Sequence, residues 1–205
     1  MADAHGAAFA TLVLGAYFLG TFPTAVLVAR SKGHDVLHEG SGNPGATNVY
    51  RVAGRRAGAA VFAGDFLKGV LAAAAGALIE GRHTNLALAL GTAAVVGHCL
   101  PVQRRFRGGK GVATAAGFAL VVEPLIGLAA AAVWFTLLKL THRASIASVT
   151  VAVAAPVAIL LWRGPHTEAA VMGAVALFVV SRHWRNISRL LRGEESSLPG
   201  VGRSG

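Results

Sequence analysis

Charge is what this chain has least of. Asp, Glu, Lys and Arg make up 14% of the 205 residues, where ordinary globular domains carry about a quarter. A water-soluble surface cannot be built from so few charges, which argues against a soluble globular domain. Acidic residues are the scarcest, 9 against 19 basic ones, and no paired carboxylates occur of the kind that serve as a general acid and base. Cysteine occurs once, at Cys99, so an intramolecular disulfide framework is excluded. Its apolar neighbours mark it as a packing residue. No Cys/His spacing suits a metal, so neither a metal nor any other cofactor is expected. No Gly-x-Ser-x-Gly elbow is present either.

Apolar residues dominate instead. They form 54% of the chain, and the mean hydropathy is +0.59. Apolar segments run roughly over 7–29, 57–79, 84–101, 112–122, 125–140, 145–162 and 167–181. Most have the ~17–25 residues needed to cross a bilayer core. The N-terminus, "MADAHGAAF", lacks the basic region of a cleaved signal peptide, so the first segment is expected to remain as a transmembrane helix. Between 112 and 140 the chain forms either one long helix or two broken at Glu123–Pro124, since proline removes a donor and disfavours helix before it.

Charge favours the break. The net charge of +10 is not spread as a nucleic-acid binder would spread it, and no nucleic-acid partner is expected. With a hairpin at Pro124, sixteen of the 19 Lys and Arg residues fall on one face, and only Arg82 and Arg163 on the other. Such asymmetry marks the cytoplasmic side. The expected architecture is an all-α polytopic membrane protein with seven crossings, N-terminus outside and C-terminus cytoplasmic. Residues 1–195 form one transmembrane domain, and 196–205 are expected to be a disordered tail.

Four polar clusters fall at the cytoplasmic face of this topology. In "EGSGNPGATNVYR", Gly42 and Gly45 allow a nest of backbone amides, to which Ser41, Asn43, Thr47, Asn48 and Arg51 add donors. A glycine turn leading into a helix capped by Thr47 or Asn48 would leave the same trace. In "DFLKG", Asp65 and Lys68 share a helix face inside an apolar segment; such charges pair structurally or line a polar cavity. "GHCLPVQRRFRGGKGVAT" carries His98, Gly108, Gly109, Lys110, Gly111 and Thr114. It lacks true P-loop spacing but suits an anion site at a helix start; a basic loop on anionic lipid accounts for its arginines alone. The fourth, "SRHWRNISRLLRGEE", reads as an interfacial amphipathic helix or as a site built on His183 and Asn186. This inventory suits two phosphate-bearing molecules side by side, or an anion transporter.

These motifs, in this order and spacing, resemble the bacterial acyl-phosphate:glycerol-3-phosphate acyltransferase (PlsY) family, from "YFLGTFPTA" to Glu195. The "RASIAS" stretch containing Ser145 resembles a further family segment. The resemblance implies a seven-helix bundle in the bacterial plasma (inner) membrane among membrane lipids. It also implies transfer of a fatty acyl group from acyl phosphate to the 1-hydroxyl of sn-glycerol 3-phosphate. Ser41, Lys110, His183 and Asn186 are then the expected catalytic residues. Substrate binding is expected of Gly42, Asn43, Gly45, Thr47, Asn48, Arg51, Asp65, Lys68, His98, Gly108, Gly109, Gly111, Thr114 and Ser145, with Glu195 structural. Direct transfer without an acyl-enzyme is expected, with a substrate phosphate as base. Two departures stand out: the family's Asp-Ile-Arg is Asp35-Val36-Leu37 here, and its "GTE" is "GEE".

Overall fold

A computed structural model describes residues 2–198 of the chain, with side chains from His5 onward. All regular structure among the described residues is helical. The helices are α1 (Ala2–Thr21), α2 (Thr24–Arg30), α3 (Ala46–Ala53), α4 (Arg55–Glu80), α5 (Asn85–Cys99), α6 (Val112–Val122), α7 (Pro124–Thr141), α8 (Ala144–Arg163), α9 (Thr167–Arg182) and α10 (Trp184–Leu191). Among the described residues, five stretches are long and apolar enough to cross a membrane: His5–Arg30, Arg55–Glu80, Asn85–Arg104, Pro124–Thr141 and Ala144–Arg163.

The chain divides into two compact units, one up to Pro124 and one from Leu125. The division falls where proline ends a helix. α6 ends at Val122, and Pro124 opens α7, a position where its missing N–H costs nothing.

The first apolar segment differs from expectation. It is two helices, because Pro23 offers no amide to continue α1 and disfavours helix at Phe22. Phe22 N–H donates to Leu19 O at 3.3 Å, and the carbonyl of Phe22 accepts Thr24 N–H at 2.9 Å in the turn between the two helices.

In the first unit the helices approach through small residues. A side chain on Gly69 of α4 would collide with the carbonyl of Thr114 in α6, and one on Gly117 with the carbonyl of Phe66. Lipid tails are as apolar as leucine, so helices in a bilayer associate through such close contact rather than through water exclusion. Beside them, Ala25, Val26, Ala29, Val36, Val49, Ala57 and Val61 form a core under α2, α3 and the start of α4.

In the second unit, Trp134 of α7 donates Nε1–H to Ser148 Oγ of α8 at 3.0 Å. The α7–α8 turn runs through His142 at φ 56°. Part of the expected tail is docked here: Leu198 is 6% exposed, and its N–H donates to His142 O at 2.8 Å. Residues 199–205 of that tail lie outside the described residues.

Candidate active site

The loop from Asp35 to Gly45 is held by the side chains of Asp35 and Glu39 at its start and by Asn48 from α3. Asn48 is 1% exposed. Its Nδ2 donates to Val36 O at 3.1 Å and Glu39 O at 2.9 Å, while its Oδ1 accepts Ser41 N–H at 2.8 Å. This corrects one sequence reading. Neither Thr47 nor Asn48 caps α3; both lie inside it, and the cap residue is Gly45 with no side-chain bond. Asn48 instead staples the preceding loop, and Gly40 and Gly42 make its left-handed turns at φ 61° and 67°. Asn43 and Gly45 close the loop, and the Gly45 N–H donates to Asn43 O at 2.9 Å. Thr47 and Arg51 sit four apart on α3, both half-buried, and therefore on one face. Ser41 is exposed.

α3 packs on the first turns of α4, where a side chain on Gly58 would meet Tyr50. Seven residues further along α4, about 10 Å at 1.5 Å per residue, lies Asp65. Its Oδ1 is 2.6 Å from Lys68 Nζ, and the two side chains are 4% and 6% exposed. Lys68 Nζ also donates to Phe22 O at 2.6 Å, the carbonyl in the turn between α1 and α2 that also accepts Thr24 N–H. From α5, His98 Nδ1 stands 3.6 Å from Asp65 Oδ1. Arg104, in a short 3-10 turn after α5, is half-buried and close enough to attract Asp65 and repel Lys68. A buried carboxylate thus has positive or protonatable groups from three elements around it.

The glycine loop then runs against this group. Gly108 N–H donates to Cys99 O and Gly109 N–H to His98 O, each at 3.1 Å. A side chain at Gly109 would overlap the His98 ring. Both amides are thus bonded to the end of α5. Gly111, at φ 87°, starts α6 without a side-chain cap, leaving the first-turn amides of α6 outside the helical ladder. Lys110 is half-buried beside them. Thr114 is fully buried, and its hydroxyl has no hydrogen-bond partner.

A separate polar group forms in the second unit. His183 is 3% exposed, and its Nδ1 lies 2.8 Å from Val179 O. A carbonyl only accepts, so Nδ1 carries a proton in this contact. One turn on, Asn186 Nδ2 donates to Glu195 Oε1 at 2.6 Å, and Arg189 Nε donates to Glu195 Oε2 at 2.8 Å. Ser145, buried in the first turn of α8, lies close to the same carboxylate without a hydrogen bond of good geometry.

Burial opposes ionisation of Glu195, but the bonds from Asn186 and Arg189 outweigh it and hold its carboxyl below the ordinary range. A lowered folded value means that this contribution is present above the ordinary carboxylate pKa and lost as pH falls through the folded one. Glu195→Gln is expected to cost about 1–3 kcal/mol at neutral pH, measured by thermal unfolding in detergent. The difference from the parent should shrink as pH falls below the ordinary carboxylate range, where the parent's own carboxyl protonates. A constant difference across that range would refute the charge's role.

Sequence reasoning missed the Phe22 carbonyl, Arg104, and Tyr17, whose hydroxyl donates to Leu100 O at 2.8 Å and accepts Val102 N–H at 3.0 Å. Only Pro23 carried a signal, as a helix breaker within an apolar run.

The chain matches the family model described as glycerol-3-phosphate acyltransferase over residues 10–193. It is 46% identical to the glycerol-3-phosphate acyltransferase of Rubrobacter xylanophilus over 95% of this chain and 96% of that one. With that of Syntrophotalea carbinolica it shares 42% over 92% and 96%. Crystal structures of PlsY, an integral membrane glycerol 3-phosphate acyltransferase, superpose with TM-scores of 0.88 in the glycerol 3-phosphate form and 0.86 in the lysophosphatidic acid form. Both share 36% identity with this chain over 93% of it and 95% of the solved one. The chain belongs to the glycerol-3-phosphate acyltransferase family.

Proposed function

We propose that this protein transfers a fatty acyl group from acyl phosphate to the 1-hydroxyl of sn-glycerol 3-phosphate. The supporting observation is the buried Asp65–Lys68–His98 group beside the glycine loop, in a chain similar along nearly its whole length to a structure holding glycerol 3-phosphate. The hydroxyl oxygen attacks the acyl carbonyl, the carbonyl–phosphate C–O bond breaks, and the hydroxyl proton passes to a substrate phosphate. Lysophosphatidic acid and inorganic phosphate leave. Phosphate is a good leaving group, so orientation and charge stabilisation carry most of the rate.

Lys110, Gly111 and the first-turn amides of α6 hold the donor phosphate, with Thr114 behind them. Gly108 and Gly109 contribute shape, by leaving room for His98. Ser41, Gly42, Asn43, Gly45, Thr47 and Arg51, with Lys68, hold glycerol 3-phosphate, Asn48 keeps their loop in shape, and Asp65 and His98 fix Lys68. His183 and Asn186 orient groups rather than abstract the proton; Ser145 serves the donor side. The chain crosses the bacterial plasma membrane seven times, with its N-terminus outside and the motif loops in the cytoplasm, as the distribution of Lys and Arg favours.

Purified protein in detergent or lipid should release inorganic phosphate only when acyl phosphate and glycerol 3-phosphate are both present. Folded but inert protein that moves phosphate esters across vesicles would replace this reading with a transporter. Lys110→Ala is expected to raise the KM for acyl phosphate more than that for glycerol 3-phosphate. The reverse pattern would exchange the two assignments.

A further inference from the structure

The loop between α5 and α6 contains two adjacent residues in the left-handed region, Arg105 at φ 50° and Phe106 at φ 61°. For a bulky aromatic residue this backbone is an outlier, since glycine and asparagine adopt it far more readily. The loop enforces it. Arg105 N–H donates to Val102 O at 3.1 Å, Phe106 N–H to Pro101 O at 3.0 Å and Arg107 N–H to Arg104 O at 3.0 Å. The loop is tied to α1 by the Tyr17 hydroxyl and by Gln103 Nε2, which donates to Thr21 Oγ1 at 2.9 Å.

The side chain so presented is not packed inside the protein. Phe106 is 57% exposed and Val102 47%, and Arg105 and Arg107 beside them are exposed too. An unfavourable backbone retained for an outward-facing ring, with cations on either side, points to a partner that is apolar within and anionic at its rim. The apolar stretch Asn85–Arg104 ends in this loop, which puts the ring at the boundary between hydrocarbon and water. Aromatic and basic side chains are favoured together at that boundary.

We propose that Val102 and Phe106 insert into an anionic lipid surface while Arg105 and Arg107 meet its phosphates. This anchor holds the adjoining Gly108–Lys110 segment at headgroup level, where a membrane-borne acyl phosphate presents its own phosphate. The anchor itself stands on the loop's geometry; its consequence for the donor rests on the function proposed above.

Two measurements test it. Cys99 is the sole cysteine and is 0% exposed, so Phe106→Cys offers one accessible site for a nitroxide label. In vesicles containing phosphatidylglycerol, the label should be reached by oxygen in preference to a water-soluble nickel chelate; the reverse preference overturns the anchor without reference to activity. Phe106→Asn suits the left-handed backbone but removes the ring. In those vesicles its KM for a long-chain acyl phosphate should rise about tenfold, the scale of withdrawing one phenyl ring from an apolar layer. Phe106→Leu should recover most of the loss. With a short-chain, water-soluble acyl phosphate in detergent, Phe106→Asn should match the parent. An equal loss in both assays would assign the ring to the loop's internal structure, and no loss in either would leave it without a role; both results overturn the proposal. A parent protein inactive in both assays would instead refute the proposed reaction, while the label still reports on the anchor.

Discussion

Asp65→Ala is expected to destabilise the protein more than Lys68→Ala does, and to lower kcat/KM on the order of 10²-fold through misplacement of the groups around it. The asymmetry follows from the number of partners each residue leaves behind. Without Asp65, Lys68 Nζ keeps only Phe22 O, and His98 loses the carboxylate 3.6 Å away. Without Lys68, Asp65 still faces His98, with Arg104 close by. Removing one partner of a buried ion pair typically costs about 3–5 kcal/mol, because a charge is left without compensation. Replacing both by apolar residues of similar shape is far gentler. The double variant Asp65→Leu/Lys68→Met should therefore recover much of the stability lost in Asp65→Ala while staying inactive. Thermal unfolding and phosphate release on the same preparations separate the two effects. An active apolar double variant would show that the pair serves only the fold, and a larger stability loss in Lys68→Ala would contradict the partner count.

Gly109→Ala is expected to be damaging in the glycine loop, as is Gly108→Ala, whose methyl would meet the carbonyls of His98 and Cys99. The methyl added at Gly109 would occupy the space of the His98 ring, so either the ring leaves Asp65 or the loop shifts and carries Lys110 with it. Overpacking of this kind costs about 1–3 kcal/mol. A misplacement of about 1 Å near the chemistry is enough for ~10²-fold in rate. Gly6→Ala supplies the contrast, since nothing lies within 4 Å of a side chain there, and no loss of activity is expected. Adding His98→Ala to Gly109→Ala opens the space again. The double variant should be more stable than the sum of the single losses implies, the signature of two residues in direct contact. Additive losses would mean that the methyl and the ring do not compete.

Much of the helical architecture was legible in the sequence because hydrophobic runs and proline act locally. Each of the seven apolar segments is helical, and the break at Glu123–Pro124 follows from the ring and missing donor of a single residue. The i, i+3 spacing of Asp65 and Lys68 likewise required that they share a face, and they pair. The same proline rule applied at Pro23, but the five apolar residues Ala25 to Ala29 beyond it masked the interruption.

What only the tertiary structure decided is where each polar atom is used. Sequence alone placed Asp65, Lys68 and His98 in two separate motifs. Their contact depends on α4 and α5 packing side by side, and the Phe22 carbonyl joins them only because α1 ends there. "GGKG" has the composition of an anion loop, yet two of its amides are bonded to the end of α5. Asn48 has the residue type of a helix cap, yet its amide holds a loop seven to twelve residues upstream. Glu195 carries an ordinary carboxyl in a polar tail, yet Asn186 and Arg189 bury its charge. Hydropathy and backbone preference are set by each residue and its near neighbours, so the sequence alone determined which segments are helical. The destination of a hydrogen bond is set by residues far away in the chain, and only the packing of the helices brings those within 3 Å.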